Sequence, residues 1–180
     1  MGIKYIHIPK TAGLSISDTL KQKEGHQPIM WSLRGSPLGF VFSCVRNPYD
    51  RAVSMYYFLR NNSNSYRHQF MAEVETVNSF WTEKAIHIRP VTFTKPQTYF
   101  LSDKKSLVSS RINKIIRFES LEDDWAEMQK LHNLPKLEHK NTNTARPTIP
   151  WQDELSDESI AIIGEIYADD FDNLNYERLA

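Results

Sequence analysis

At 180 residues the chain is long enough for one domain with a single substantial core, and its 40% hydrophobic and 24% charged residues are ordinary for a soluble globular protein. Lysine plus arginine and aspartate plus glutamate each number 22, so no net field draws the chain to nucleic acid or anionic lipid, and any anion recognition is local. The one cysteine, Cys44, excludes an intramolecular disulfide framework and a cysteine-rich zinc site.

The first element is the run IKYIHI (3–8), a strand bounded by Pro9. Strand-like sequence this close to Met1 leaves no room for a signal peptide, and runs such as FVFSCV are far too short to span a bilayer, so a cytoplasmic protein is expected. From Gly13 to Lys23 the pattern turns helical, with Ala12, Ile16 and Leu20 on one face. Residues 24–39 are rich in breakers (Gly25, Pro28, Gly35, Pro37, Gly39) and read as a connection. GFVFSCV (39–45) is a continuous apolar run, the mark of a strand buried on both faces.

A helix is expected to begin directly afterwards. Asn47 is a good N-cap, Pro48 suits the first helical position, and Asp50 places an acid in the first turn. Residues 60–68 read as an exposed loop, and 69–111 mix helical and extended signals. INKIIRF (112–118) is a third strand. Ser120 and Asp123 are placed to form a capping box for the next helix, with Leu121, Trp125, Met128 and Leu131 on its apolar side. A long polar loop (134–151) precedes a last helix from Ser156, with Ile160, Ile163, Ile166 and Tyr167 facing inward.

Strands alternating with helices predict an α/β fold with a mostly parallel central sheet flanked by helices, a single domain over 1–180. In such sheets ligands sit beyond the C-terminal ends of the strands. Two motifs lie there. The first, PKTAGLS (9–15), joins a strand to a helix through a lysine and small residues. Helix N-termini bind phosphate and sulfate readily; Gly13 admits close approach, Thr11 and Ser15 offer hydroxyls, and Lys10 brings a full charge. The chain has no G-x-x-x-x-G-K-[ST] sequence, and the lysine precedes the glycine. In the second motif Arg46 ends the buried strand and Ser54 lies two helical turns beyond Asn47, so that an arginine fork and a hydroxyl suit a phosphate along that helix.

Together HIPKTAGLS and RNPYDRAVSMYY resemble the two cofactor-binding signatures of the sulfotransferases, above all the carbohydrate-type group. The likeness continues through PQTYFLSD (96–103), RFESLEDDW (117–125) and DDFDNLNY (169–176). It implies a three-layer, P-loop NTPase-like fold and 3'-phosphoadenosine 5'-phosphosulfate (PAPS) as co-substrate, with PAP as product and no metal.

By the resemblance, Pro9, Lys10, Thr11, Ala12, Gly13, Leu14 and Ser15 grip the 5'-phosphosulfate, with Lys10 at the bridging oxygen, and Arg46 and Ser54 hold the 3'-phosphate. LEHKNTN (137–143) is similar to the family's adenosine-side segment H-x-N-K-[ST]. His139 and Asn141 match it, Thr142 stands where lysine is usual, and Lys140 and Arg146 are the cations available to compensate. Ala12 stands where the family often has a second glycine, which is harmless unless a positive φ is required there.

An alcohol acceptor, here a sugar hydroxyl by the resemblance, needs a general base. His26, in EGHQPIMWSLRG, falls where the family often carries a histidine. His68 and Glu75, in the expected acceptor-side segment 60–95, are the runners-up. His7 reads as a packed strand residue, and His132 as a cation near a helix C-terminus. Glu119 and Asp124 read as capping groups, and Trp31, Trp81 and Phe93 as core rather than sugar platforms. Two alternatives stay open: a P-loop-like phosphotransferase using ATP, and a non-catalytic PAPS- or PAP-binding domain. The missing G-K-[ST] and the absence of a clear strand-end Asp for Mg²⁺ weigh against the first.

Overall fold

The computed structural model describes residues 2–22, 25–34, 39–61, 71, 73–84, 92–138, 140 and 146–179. In chain order these form β1 (Ile3–Ile6), α1 (Gly13–Thr19), α2 (Ile29–Ser32), β2 (Phe40–Val45), α3 (Pro48–Asn61) and α4 (Val77–Ser79). Then follow α5 (Gln97–Leu101), β3 (Lys114–Arg117), α6 (Leu121–His132), α7 (Trp151–Glu154), α8 (Asp157–Ile166) and α9 (Ala168–Leu174). A π-helical turn continues α4 over Phe80–Lys84, and 3-10 turns cover Thr92–Thr94 and Phe118–Ser120. The chain divides into two compact units, Met1–Arg46 with Pro96–Asn141, and Asn47–Lys95 with Thr142–Ala180.

The first unit is α/β, and its three expected strands form one parallel sheet in the order β1-β2-β3. The register runs from Ile3 opposite Phe40 to Ile6 opposite Ser43, and from Phe42 opposite Lys114 to Val45 opposite Arg117. β2 is central, which explains why Val41 through Val45 are all buried.

Side-chain amides extend this small sheet. Tyr5 N–H donates to Gln22 Oε1 at 3.1 Å, and Gln22 Nε2 donates to the Ile3 carbonyl at 2.8 Å, so that one side chain pairs with β1 as a strand would. Asn113 does the same for the start of β2: Val41 N–H donates to its Oδ1 at 2.7 Å, and its own N–H donates to the Val41 carbonyl at 2.8 Å. Tyr5, Ile16, Phe42, Cys44, Ile116, Trp125 and Met128 fill the core, joined by Leu134 and Leu137. Burial pushes the Cys44 thiol well above its ordinary range, with Glu119 adding to the effect.

The start of α6 corrects one expectation. Ser120 is the N-cap residue, yet its hydroxyl makes no cap hydrogen bond. It donates instead to Asp124 Oδ2 at 3.0 Å, and that oxygen also accepts from Arg117 N–H at 2.7 Å. Asp124, not Asp123, ties the end of β3 to the helix. Leu131 is also off the apolar face, at 70% exposed. The stripe through Leu121, Trp125 and Met128 arrives next at position 132, and the His132 ring fills that place with its centroid 3.9 Å from that of Phe40.

The second unit is helical among its described residues. Asn47 Oδ1 accepts from Tyr49 N–H at 2.9 Å, and Pro48 opens α3 as expected. Tyr49, Ala52, Val53, Tyr56, Phe80, Trp81, Ile163, Tyr167 and Phe171 build its core, to which Ile160 and Ile166 add partly buried surface. Ser156 caps α8, its hydroxyl accepting from Ser159 N–H at 3.3 Å. Arg51, fully buried, donates to the carbonyls of Phe93 at 3.2 Å and Lys95 at 2.8 Å. No helix among the described residues is long and apolar enough to cross a membrane.

Candidate functional site

The turn between β1 and α1 takes its shape from two residues in the left-handed region. Lys10 has φ 68° and Ala12, the N-cap of α1, has φ 61°. A positive φ is therefore required at Ala12, where glycine would carry no strain. Alternating left-handed residues turn backbone N–H groups into a concavity suited to an anion. Thr11, between them, is fully buried, and its hydroxyl donates to the Ile8 carbonyl at 2.9 Å. That hydroxyl closes the turn from within.

Gly13 follows, and its place is set by close approach. A Cβ there would lie 1.7 Å from His7 Nε2, so the imidazole rests directly against the glycine backbone. His26 completes the arrangement, its ring meeting that of His7 edge-on with centroids 4.2 Å apart. The sequence assigned His7 to strand packing alone; the structure makes it the piece between the loop glycine and His26.

Ser15 is buried and its Oγ accepts from Lys140 N–H at 3.1 Å, while Thr19 Oγ1 accepts from Glu138 N–H at 3.0 Å. Residues 138 and 140 thus run beside α1. Lys140 Nζ, however, pairs with Asp18 at 2.6 Å on an exposed face, and the hydrogen bond to that carboxylate and its charge raise the ammonium above its ordinary pKa. Leu14 is 52% exposed. His68, His139 and Asn141 lie outside the described residues.

Arg46, where β2 ends, belongs to the same unit as this loop. Its guanidinium stands over the Phe118 ring at 3.8 Å, and Nη1 donates to the Lys10 carbonyl at 3.2 Å. Its backbone is held on both sides by Gln97, whose Oε1 accepts from Arg46 N–H at 2.9 Å and whose Nε2 donates to the Arg46 carbonyl at 2.8 Å. The sequence signal for Gln97 is slight: a glutamine at the first position of a short helix directly behind Pro96.

In the second unit, Ser54 is buried on α3 at 4% exposed. Arg146 is committed to acids there, with Nη2 at 2.8 Å from Asp50 Oδ1 and 3.7 Å from Glu154 Oε1. Glu154 also accepts from the Tyr57 hydroxyl at 2.6 Å, and burial first, then that carboxylate, pushes the phenol up to about 12. Glu75 is exposed, and its carbonyl accepts from Tyr56. Trp81 is core, as expected. Trp31 is 65% exposed on α2, with the Arg34 guanidinium 5.6 Å from its ring centre. No group of three metal-ligating side chains occurs among the described residues.

A model described as the sulfotransferase family matches residues 2–177. No curated protein and no solved structure gives a significant match to the chain.

Proposed function

The chain belongs to the sulfotransferase family, whose members are PAPS-dependent transferases acting on hydroxyl groups, and from that premise we propose that its acceptor is a carbohydrate and that Lys10 and His26 carry the chemistry. PAPS supplies the sulfuryl group, and PAP remains as product. The observation that carries the assignment is the loop backbone: Lys10 and Ala12, both left-handed, flank the turn from which Arg46 takes the Lys10 carbonyl. A nest of N–H groups with a lysine suits a phosphosulfate.

In the proposed transfer the acceptor oxygen forms the new bond to sulfur as the bond from sulfur to the phosphate oxygen breaks. His26 accepts the acceptor proton at an imidazole nitrogen. Lys10 and the loop N–H groups stabilise the negative charge that collects on the departing oxygen, more strongly in the transition state than before it. The edge-on contact of His26 with His7, itself against Gly13, supports this role. Arg46 and Ser54 remain the proposed 3'-phosphate ligands, and Asn141 and the Lys140 backbone the proposed adenosine-side contacts. Exposed Trp31, a few residues after His26, is suited to the apolar face of a sugar and supports the carbohydrate reading.

The decisive measurement is transfer of labelled sulfate from PAPS across a panel of saccharides, lipid headgroups and small alcohols. Transfer to saccharides is expected; a preference for another acceptor class overturns the carbohydrate assignment. Lys10→Ala should lower kcat by the equivalent of about 3 kcal/mol, in the range of losses of one oxyanion donor. PAP should raise the melting temperature, and stabilisation by ATP–Mg²⁺ but not by PAP would favour a phosphotransferase.

A further inference from the structure

We propose that Gln97 is a positioning residue for the Lys10 loop and that it acts through Arg46. The inference rests on the reading of Lys10 as the residue that stabilises the leaving oxygen.

The side-chain amide of Gln97 has the same donor and acceptor as a peptide unit, and it uses both on one residue. It accepts from Arg46 N–H at 2.9 Å and donates to the Arg46 carbonyl at 2.8 Å, with no part of the glutamine exposed. Arg46 is the first residue beyond the last paired position of β2, Val45 opposite Arg117. Strand pairing therefore ends one residue too early to fix it, and Gln97 supplies the missing pairing. A backbone held on both sides gives the side chain a fixed origin.

From that origin the guanidinium reaches two places. It stands over the Phe118 ring at 3.8 Å, and Nη1 donates to the Lys10 carbonyl at 3.2 Å. Lys10 occupies a left-handed conformation, φ 68°, that a lysine keeps only where its surroundings determine it. The bond from Arg46 is one such determinant, because it fixes the direction of the peptide that follows Lys10. The path from Gln97 to the loop is short and made of observed bonds: amide to backbone, backbone to guanidinium, guanidinium to carbonyl. Glutamine fits this place for its length and for its paired donor and acceptor. Methionine keeps the length and loses both bonds, and glutamate keeps the acceptor and loses the donor.

The test is a double-mutant cycle of Gln97→Met and Arg46→Ala, read by steady-state kinetics and by amide exchange over residues 10–14. Gln97→Met should lower kcat on the order of 100-fold, the loss associated with small misplacements far from the chemistry. The acceptor KM should stay near the wild-type value. In the Arg46→Ala background the same substitution should cost no more than about threefold, since its path to the loop is already cut. Loop amides should exchange faster in each single variant, and no faster in the double variant than in Arg46→Ala alone. Full additivity of the two kinetic losses overturns the proposal, and so does wild-type exchange at 10–14 in Gln97→Met. Should Gln97→Met not fold, Gln97→Glu carries the same comparisons. Wild-type protein that transfers no sulfate from PAPS refutes the functional reading instead, and the exchange measurement still decides the role of Gln97.

Discussion

Each unit carries a buried arginine that donates to backbone carbonyls distant in sequence, and the two are put to different ends. Arg46, in the sheet unit, reaches the carbonyl of Lys10, a left-handed residue in the loop before α1. Arg51, in the helical unit, reaches the carbonyls of Phe93 and Lys95 and closes a turn beside the core. The surroundings differ accordingly. The sheet unit is stitched by side chains that imitate peptides (Gln22, Asn113 and Gln97), because three strands leave edges and ends without ladder partners. The helical unit uses the same device at Asn78, which accepts from Ser156 N–H at 2.9 Å and donates to the Glu154 carbonyl at 3.1 Å, but it adds ring against ring, with Tyr49 stacked on Trp151 at 4.8 Å and Phe58 on Phe93 at 5.0 Å. The lesson is that identical chemistry secures a loop where the backbone is strained and a core where it is not.

The largest expected effects probe the two cores. Trp125→Ala and Trp81→Ala should each cost about 3–5 kcal/mol in chemical denaturation, since both rings are buried. Trp→Phe sharpens the contrast. Trp125 Nε1 donates to the Pro135 carbonyl at 3.1 Å, whereas Trp81 Nε1 has no hydrogen-bond partner among the described residues. Trp125→Phe should therefore be the costlier change by about 1 kcal/mol, the net worth of a hydrogen bond. Equal losses would show that the bond from Trp125 to the Pro135 carbonyl contributes nothing to the sheet unit.

Next comes Gly13→Ala. The added methyl would meet the His7 ring, so the imidazole has to move, and with it the edge-on contact to His26. Turnover should fall on the order of 100-fold, while the melting temperature moves far less than in the tryptophan variants. Arg51→Met should do the reverse. It removes two charge-assisted bonds to carbonyls from a buried position and should cost roughly 2 kcal/mol of stability. Its effect on transfer per folded molecule should be small. A large kcat defect in soluble, folded Arg51→Met would break the division of labour drawn between the two arginines.

Local signals carried much of this molecule. A continuous apolar run predicts a doubly buried strand, and GFVFSCV is the central one; Asn47-Pro48 predicts a helix start, and α3 begins there. The loop was visible because lysine, small residues and serine are contiguous. What stayed hidden was long-range. Nothing near Gln97 in sequence names Arg46 as its partner, since the two are 51 residues apart. The strand period predicts burial of His7 but not the ring against Gly13 or the contact with His26. Asp123 and Asp124 are equally good capping residues by type, and only the direction of the chain leaving β3 chooses Asp124. Hydrophobicity alone predicts Leu131 on the apolar face, where the helical stripe instead delivers His132 onto Phe40.

The smallest expected effect bears most closely on the loop. Ala12 holds φ 61°, and a left-handed conformation costs an L-residue with a Cβ roughly 1–2 kcal/mol. Glycine removes that strain but adds chain entropy to the unfolded state, an opposing term of about 0.5–1 kcal/mol. Ala12→Gly should therefore stabilise the protein by a net of about 0.5–1 kcal/mol, seen as a higher denaturation midpoint with an unchanged slope. Lys10→Gly relieves the same strain at φ 68° but removes the ammonium. The two variants together separate backbone from charge: Ala12→Gly should gain stability and keep turnover, and Lys10→Gly should gain stability and lose turnover as Lys10→Ala does. If Ala12→Gly instead loses turnover while becoming more stable, the alanine methyl is itself stiffening the loop for transfer, and the strain at this turn is part of its function.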